Sequence, residues 1–127
     1  MIVIDSSGWI EFFADGPHAE EFAARLRQPG AVITPTVAIY EVYKWIKRQR
    51  SEDEALTAIA TMKKTTIADL TEEIALTAAD LSLEHGLAMA DSMILAVARV
   101  NDAHLATTDS GFEGIPGVTV FSKKSRS

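Results

Sequence analysis

Residues 1–13 read MIVIDSSGWIEFF, and the order of their chemistry decides the fold class. MIVI is a short apolar run closed by Asp5, which suits a strand buried on both faces of a parallel sheet. Ser6, Ser7 and Gly8 read as a turn, and about WIEFFAD as the helix that follows, stopping near Gly16 and Pro17. A buried strand passing through a tight turn into an amphipathic helix is the first half of a crossover between parallel strands.

The same alternation continues along the chain. AEEFAARLR places Phe22, Ala23 and Leu26 on one helical stripe and ends at Pro29 and Gly30. AVITP is the next strand, with Thr36 as the expected cap of a long helix through VAIYEVYKWIKRQR. Ser51 and Glu54 form a capping box that starts a new helix, and TTIADL is a third strand. Thr71, followed by Glu72 and Glu73, opens a helix with Ile74, Ala78 and Leu81 inward and Gly86 as its stop. A further helix is expected over 92–100, then strands HLATTD and VTVF joined by the turn SGFEGIPG. The expectation is an α/β fold: one domain over 1–122, with a mostly parallel central sheet of four to five strands and helices on both faces. The basic residues 123–127, KKSRS, are expected to form a disordered tail.

The bulk composition fits one compact core. A hydrophobic content of 47% and a charged content of 24% in 127 residues are ordinary for a single globular domain. No window reaches the roughly 18 apolar residues of a membrane span, and no basic segment precedes a long apolar one, so a cytoplasmic protein with no membrane partner is expected. Cysteine is absent, which excludes disulfides, thiolate zinc sites and cysteine nucleophiles. Any metal must be held by oxygen or histidine. The net charge of -6 argues against gripping nucleic acid by an overall positive field, although Lys44, Lys47, Arg48 and Arg50 form a local basic cluster.

In an open α/β sheet the functional crevice lies beyond the carboxyl ends of the strands. Asp5 closes the first strand and Asp109 the fourth. Glu41 interrupts the apolar VAIYEVY, with Val37 and Trp45 as its helical neighbours; a salt bridge to Lys44 is its plain structural explanation. Asp91 heads the apolar run SMILAVARV, where the helix dipole alone accounts for an acid. If the four converge, a different account is needed. Two carboxylates about 4 Å apart repel by roughly 4 kcal/mol at an effective dielectric near 20, so four do not stay ionised together unaided. A hard divalent cation such as magnesium or manganese removes that repulsion, and such a site suits phosphodiester hydrolysis.

Taken together, Asp5, Glu41, Asp91 and Asp109 resemble the acidic quartet of PIN-domain nucleases, in particular the VapC toxins of toxin–antitoxin pairs. IVIDSSGWIEFF is similar to that family's first strand and turn, AIYEVYK to its helix-borne glutamate, MADSMILAVA to its aspartate-headed helix, and LATTDSGFEGIPGV to its last acidic strand end and closing strand. The resemblance covers essentially the whole chain. It implies Asp5 and Asp91 as principal ligands of Mg2+ or Mn2+, with Glu41 and Asp109 completing the cluster, and Ser6 and Thr107 as supporting hydroxyls. It further implies a metal-dependent endoribonuclease that leaves a 5′-phosphate and a 3′-hydroxyl, is restrained by a cognate antitoxin, and forms a homodimer. The aromatic helices carrying Trp9, Phe12, Phe13, Tyr40, Tyr43 and Trp45 are the candidate contact surfaces. Acidic residues exceed basic ones by six, and four of that excess are the candidate ligands, so the rest of the chain is near neutral. A metal-filled site flanked by Lys44, Lys47 and Arg48 can therefore accept a polyanion.

Other readings fit less of the chain. A non-hydrolytic metal- or partner-binding module of the same fold is the main alternative. A receiver-type phosphoacceptor domain needs adjacent acids after the first strand, whereas Asp5 stands alone, Asp69 lies inside IADL and Lys123 lies beyond VTVFS. A dehalogenase-type phosphatase needs D-x-D where this chain has DSS. Ser92 is given no role, His18, His85 and His104 are expected at the surface or a strand edge, and Asp80 with Glu84 reads as a solvated face. Asp69 is a weaker rival for a place in the cluster.

Overall fold

The computed structural model describes residues 1–122, so the expected tail at 123–127 lies outside the described residues. Five strands form one sheet: β1 (Ile2–Ile4), β2 (Val32–Pro35), β3 (Thr66–Ala68), β4 (His104–Thr107) and β5 (Val118–Val120). Their order is β3-β2-β1-β4-β5, and each neighbouring pair is parallel. Six α-helices flank the sheet: α1 (Ser6–Phe13), α2 (Ala19–Leu26), α3 (Thr36–Gln49), α4 (Glu52–Met62), α5 (Glu72–His85) and α6 (Met89–Val100).

The chain first winds from β1 through β2 to the edge strand β3, then returns past β1 to β4 and β5. The reversal makes β1 and β4 neighbours and puts the topological switch point, where such sheets open a crevice, at their carboxyl ends. Val3, Ile4, Leu105 and Ala106 of this central pair are fully buried, as expected of strands covered on both faces. Residues 94–98 of α6 are buried without a break, and α6 packs on both β1 and β4. Among the described residues, no single helix is long and apolar enough to cross a membrane.

Local chemistry accounts for most helix ends. The Ser51 hydroxyl accepts from the Glu54 amide at 3.1 Å, and that of Thr71 from the Ile74 amide at 3.2 Å. Gly86 adopts φ 70°, the left-handed conformation that ends α5 at little cost for glycine. Three boundaries differ from the sequence reading. Ser6, Ser7 and Gly8 are the first turn of α1 rather than a turn before it, because the Asp5 carbonyl accepts from the Gly8 and Trp9 amides. Thr36 is the first residue of α3, and Pro35 takes the cap position. α6 begins at Met89, three residues earlier than expected, with Ala88 at its cap.

Two side-chain placements also differ. His18 is buried instead of lying at the surface, with Nε2 3.2 Å from the Ser122 carbonyl and its ring against Phe121. Trp9 is fully buried and stacks on Phe13, so it belongs to the core and not to a contact surface. Exposed Asp80 and Glu84 conform to expectation.

Gly8 is fixed by packing. A Cβ at this position would come within 2.5 Å of the Phe22 ring and 2.9 Å of the Ile4 Cγ2, both fully buried and without room to move. Gly8→Ala gains about 1 kcal/mol of helix propensity but overpacks the α1–α2 contact at a cost of about 1–3 kcal/mol. The expected outcome is a lower midpoint in thermal or urea unfolding; a stabilised variant would show that α1 and α2 pack more loosely.

Candidate active site

Asp5 follows the last residue of β1, and only 1% of it is exposed. Its amide donates to the Ala106 carbonyl of β4 at 2.9 Å, carrying the ladder one step past the strand. By backbone position Asp5 caps α1, yet its side chain makes no capping hydrogen bond. The carboxylate turns to hydroxyls: Thr107 Oγ1 donates to Oδ2 at 2.7 Å, and Ser7 Oγ donates to the same oxygen at 2.8 Å. The two hydroxyl oxygens also lie 3.0 Å apart, within hydrogen-bonding distance of each other. The hydroxyl oxygens then accept from backbone amides, Ser7 from Thr108 at 3.1 Å and Thr107 from Asp109 at 2.9 Å. The first turn of α1 and the end of β4 are thereby tied to one carboxylate oxygen.

Ser6 serves a second acid. Its hydroxyl donates to Glu41 Oε1 at 2.7 Å, and its oxygen lies 3.5 Å from Asp5 Oδ1. The plain account of Glu41 as a salt bridge to Lys44 is not what forms. Lys44 Nζ lies 5.5 Å from the centre of the Tyr40 ring and 3.4 Å from its hydroxyl. Asp109, two residues beyond β4, accepts from the Gly111 amide at 2.8 Å with Oδ1 and so caps the 3-10 turn Ser110–Phe112. Asp91 lies in the first turn of α6.

The electrostatics show which acids share a space. Burial pushes the Asp5 carboxyl up from its ordinary value, against the lowering effect of Thr107, Ser7 and the Ser6 backbone, and Asp109 raises it further. Burial likewise raises Glu41, with Asp5 and Asp109 adding to the rise and the Ser6 hydroxyl and the Lys44 charge opposing it. Asp91 is pushed up to about 7, first by burial and then by the charges of Asp5, Asp109 and Glu41. A side-chain hydrogen bond with Asp109 also favours the protonated form of Asp91. A helix N-terminus would favour the ionised form, so at position 91 burial and like charge outweigh the dipole.

The four sequence-predicted carboxyls are therefore coupled electrostatically around the switch-point crevice, and Asp91 shares a side-chain hydrogen bond with Asp109. Asp69 does not join them; it follows β3, which β2 separates from β1. Ser92 donates back to the Met89 carbonyl at 2.8 Å within its own helix. Ser7 is the participant that sequence reading missed: its only signal was a second serine after Asp5, which looked like part of a turn.

Among the described residues, no three acidic or histidine side chains form a ready-made metal cage. Magnesium does not need one, since it is ordinarily held by one or two carboxylates and keeps several waters. The donor set here is all oxygen, crowded with like charge, and contains a carboxyl that a proton neutralises near pH 7. That chemistry fits a hard divalent cation.

A PIN domain model matches residues 2–118, and the chain belongs to the PIN-domain family. Its fold is similar to that of a toxin–antitoxin complex from Klebsiella pneumoniae, with a TM-score of 0.79 and 26% identity over 94% of this chain and 97% of that one. It is also similar to VapC20 of Mycobacterium tuberculosis, described as a sarcin–ricin loop cleaving toxin, with a TM-score of 0.77 and 20% identity over 94% and 98% of the two chains. FitAcB of Neisseria gonorrhoeae has a TM-score of 0.73 and 21% identity over 96% and 97%. No curated protein matches the sequence.

The raised Asp91 carboxyl makes stability depend on pH. Between 3.8 and about 7 the folded chain keeps a proton on Asp91 that the unfolded chain has lost. This group's contribution to stability therefore falls as pH rises through that window and is constant above it. In chelator, thermal unfolding of Asp91→Asn is expected to show a shallower fall with pH than the parent and a higher midpoint at pH 7. Identical slopes would place Asp91 outside the cluster.

Proposed function

We propose that this protein is a metal-dependent endoribonuclease and the toxin of a VapC-type toxin–antitoxin pair. What supports the reading is the electrostatic coupling of Asp5, Glu41, Asp91 and Asp109 around the carboxyl ends of β1 and β4, with Asp91 pushed up to about 7. The similarity to a toxin–antitoxin complex and to an RNA-cleaving VapC supports the same reading.

Asp5 and Asp91 would hold Mg2+ or Mn2+, with Glu41 and Asp109 completing the set. When bound, the cation supplies the positive charge that activates water and neutralises charge developing on the phosphoryl group. The protein's own contribution is preorganisation. Thr107 and Ser7 fix Oδ2 of Asp5, which leaves Oδ1 as the oxygen they do not engage. Ser6 fixes Glu41 across the crevice. To serve as a ligand Asp91 would have to be ionised, so cation binding would weaken as pH falls below about 7. RNA is the substrate, a cognate antitoxin is the restraining partner, and the toxin acts as a homodimer in the cytoplasm, with residues 1–122 as its nuclease domain.

Cleavage of single-stranded RNA by the purified protein should require Mn2+ or Mg2+ and stop in chelator. Asp5→Asn and Asp91→Asn should each lower the rate by about 100-fold or more while the far-UV circular dichroism stays unchanged. A fully active Asp5→Asn enzyme would refute the reading. A folded parent protein that cleaves no RNA with either metal would instead favour a non-hydrolytic module.

A further inference from the structure

Beside the acidic crevice, a groove of about 300 Å³ opens between α1 and α3. Ser6, Ser7 and Glu41 line its inner end, and Tyr40, Lys44, Trp45 and Arg48 of α3 face Ile10 of α1 along the remainder. Glu41, Lys44, Trp45 and Arg48 recur at helical spacing and form one stripe along α3. At 1.5 Å per residue the stripe runs roughly 10 Å from the crevice to Arg48.

Its chemistry changes along that length. The inner end is acidic, whereas the outer part carries exposed cations and an aromatic ring that is 63% exposed, Tyr40. Neither Lys44 nor Arg48 is within salt-bridge distance of a carboxylate among the described residues. Lys47, which the sequence grouped with them, is 3.2 Å from Glu52 Oε1 and already paired. Cations that form no salt bridge, interleaved with an exposed aromatic ring, are what single-stranded nucleic acid needs, because phosphates meet charge and a base meets a π-face.

We propose that this groove is a nucleotide subsite, in which one base of the RNA stacks on Tyr40 while Lys44 and Arg48 hold the phosphates beside it. The proposal rests on the ribonuclease reading and adds the residues that place the strand relative to the acids. Tyr40 and Lys44 already lie together, with the ammonium 5.5 Å from the ring centre, so ring and charge are presented as a unit. The subsite fixes how far the cut falls from a stacked base, and its preference is for an unpaired strand.

The test uses a short, fluorescently labelled single-stranded RNA and the full chain carrying Asp5→Asn, which keeps the RNA intact. Anisotropy titrations are run over a series of salt concentrations. Adding Lys44→Ala or Arg48→Ala should weaken binding and flatten the slope of log K against log salt by about 0.7 each. Tyr40→Ala should weaken binding about 10-fold at every salt concentration with the slope unchanged, and Tyr40→Phe should bind like the parent. Lys64→Ala is the control for net charge; it precedes β3, at the opposite end of the parallel sheet, and should change neither. Unaltered affinity and slope in the Tyr40, Lys44 and Arg48 variants, with metal-dependent cleavage intact when Asp5 is restored, would overturn the subsite alone. A parent protein that neither binds nor cleaves RNA would overturn the reading beneath it as well. Variants that keep full RNA affinity but lose association with the antitoxin would assign the groove to a protein partner and also overturn the proposal.

Discussion

The constraint on which the site depends is the burial of the Asp5 carboxyl at the end of the central strand. An acid that is 1% exposed is costly to ionise, and the protein answers with two hydroxyl donors aimed at one oxygen. Those donors come from different parts of the chain, Ser7 from the first turn of α1 and Thr107 from the last residue of β4. They are held in turn by the amides of Thr108 and Asp109. One carboxylate thus couples the start of the chain to a segment about a hundred residues later, exactly where the winding of the sheet reverses.

Around that anchor the fold gathers three more acids, and none of the four forms a salt bridge among the described residues. Ser6 steadies Glu41, while Lys44 turns to Tyr40 instead of forming a salt bridge. The result is a region under electrostatic strain, in which Asp91 is pushed up to about 7. Proteins tend to give up stability where function requires like charges to be held together. At position 91 the two quantities should oppose each other, since the amide that relieves repulsion also removes a candidate ligand. An acid kept only as a helix cap would show no such conflict.

Much of this was legible in the sequence because it depends on local pattern. Apolar runs closed by acids marked β1 and β4, and Ser51, Thr71 and Gly86 marked helix ends through capping chemistry that acts within four residues. The convergence of Asp5, Glu41, Asp91 and Asp109 could be expected from strand ends and from the family pattern, but the groupings that depend on contacts could not. Ser7 looked like a turn residue because its partners, Thr107 and Thr108, are distant in sequence. His18 looked like a surface residue because Ser122 and Phe121 reach it from the other end of the chain. The separation of Lys47 from Lys44 and Arg48 arises from Glu52, which lies on the next helix.

The most direct measurement is a carbon-13 NMR titration of the Asp91 side-chain carboxyl, made without metal and again with saturating Mg2+. If four acids share one crevice and a cation answers their repulsion, the metal-free midpoint lies near pH 7 and moves down when Mg2+ is present. A midpoint near 3.8 without metal, or one near 7 that ignores Mg2+, would contradict the account.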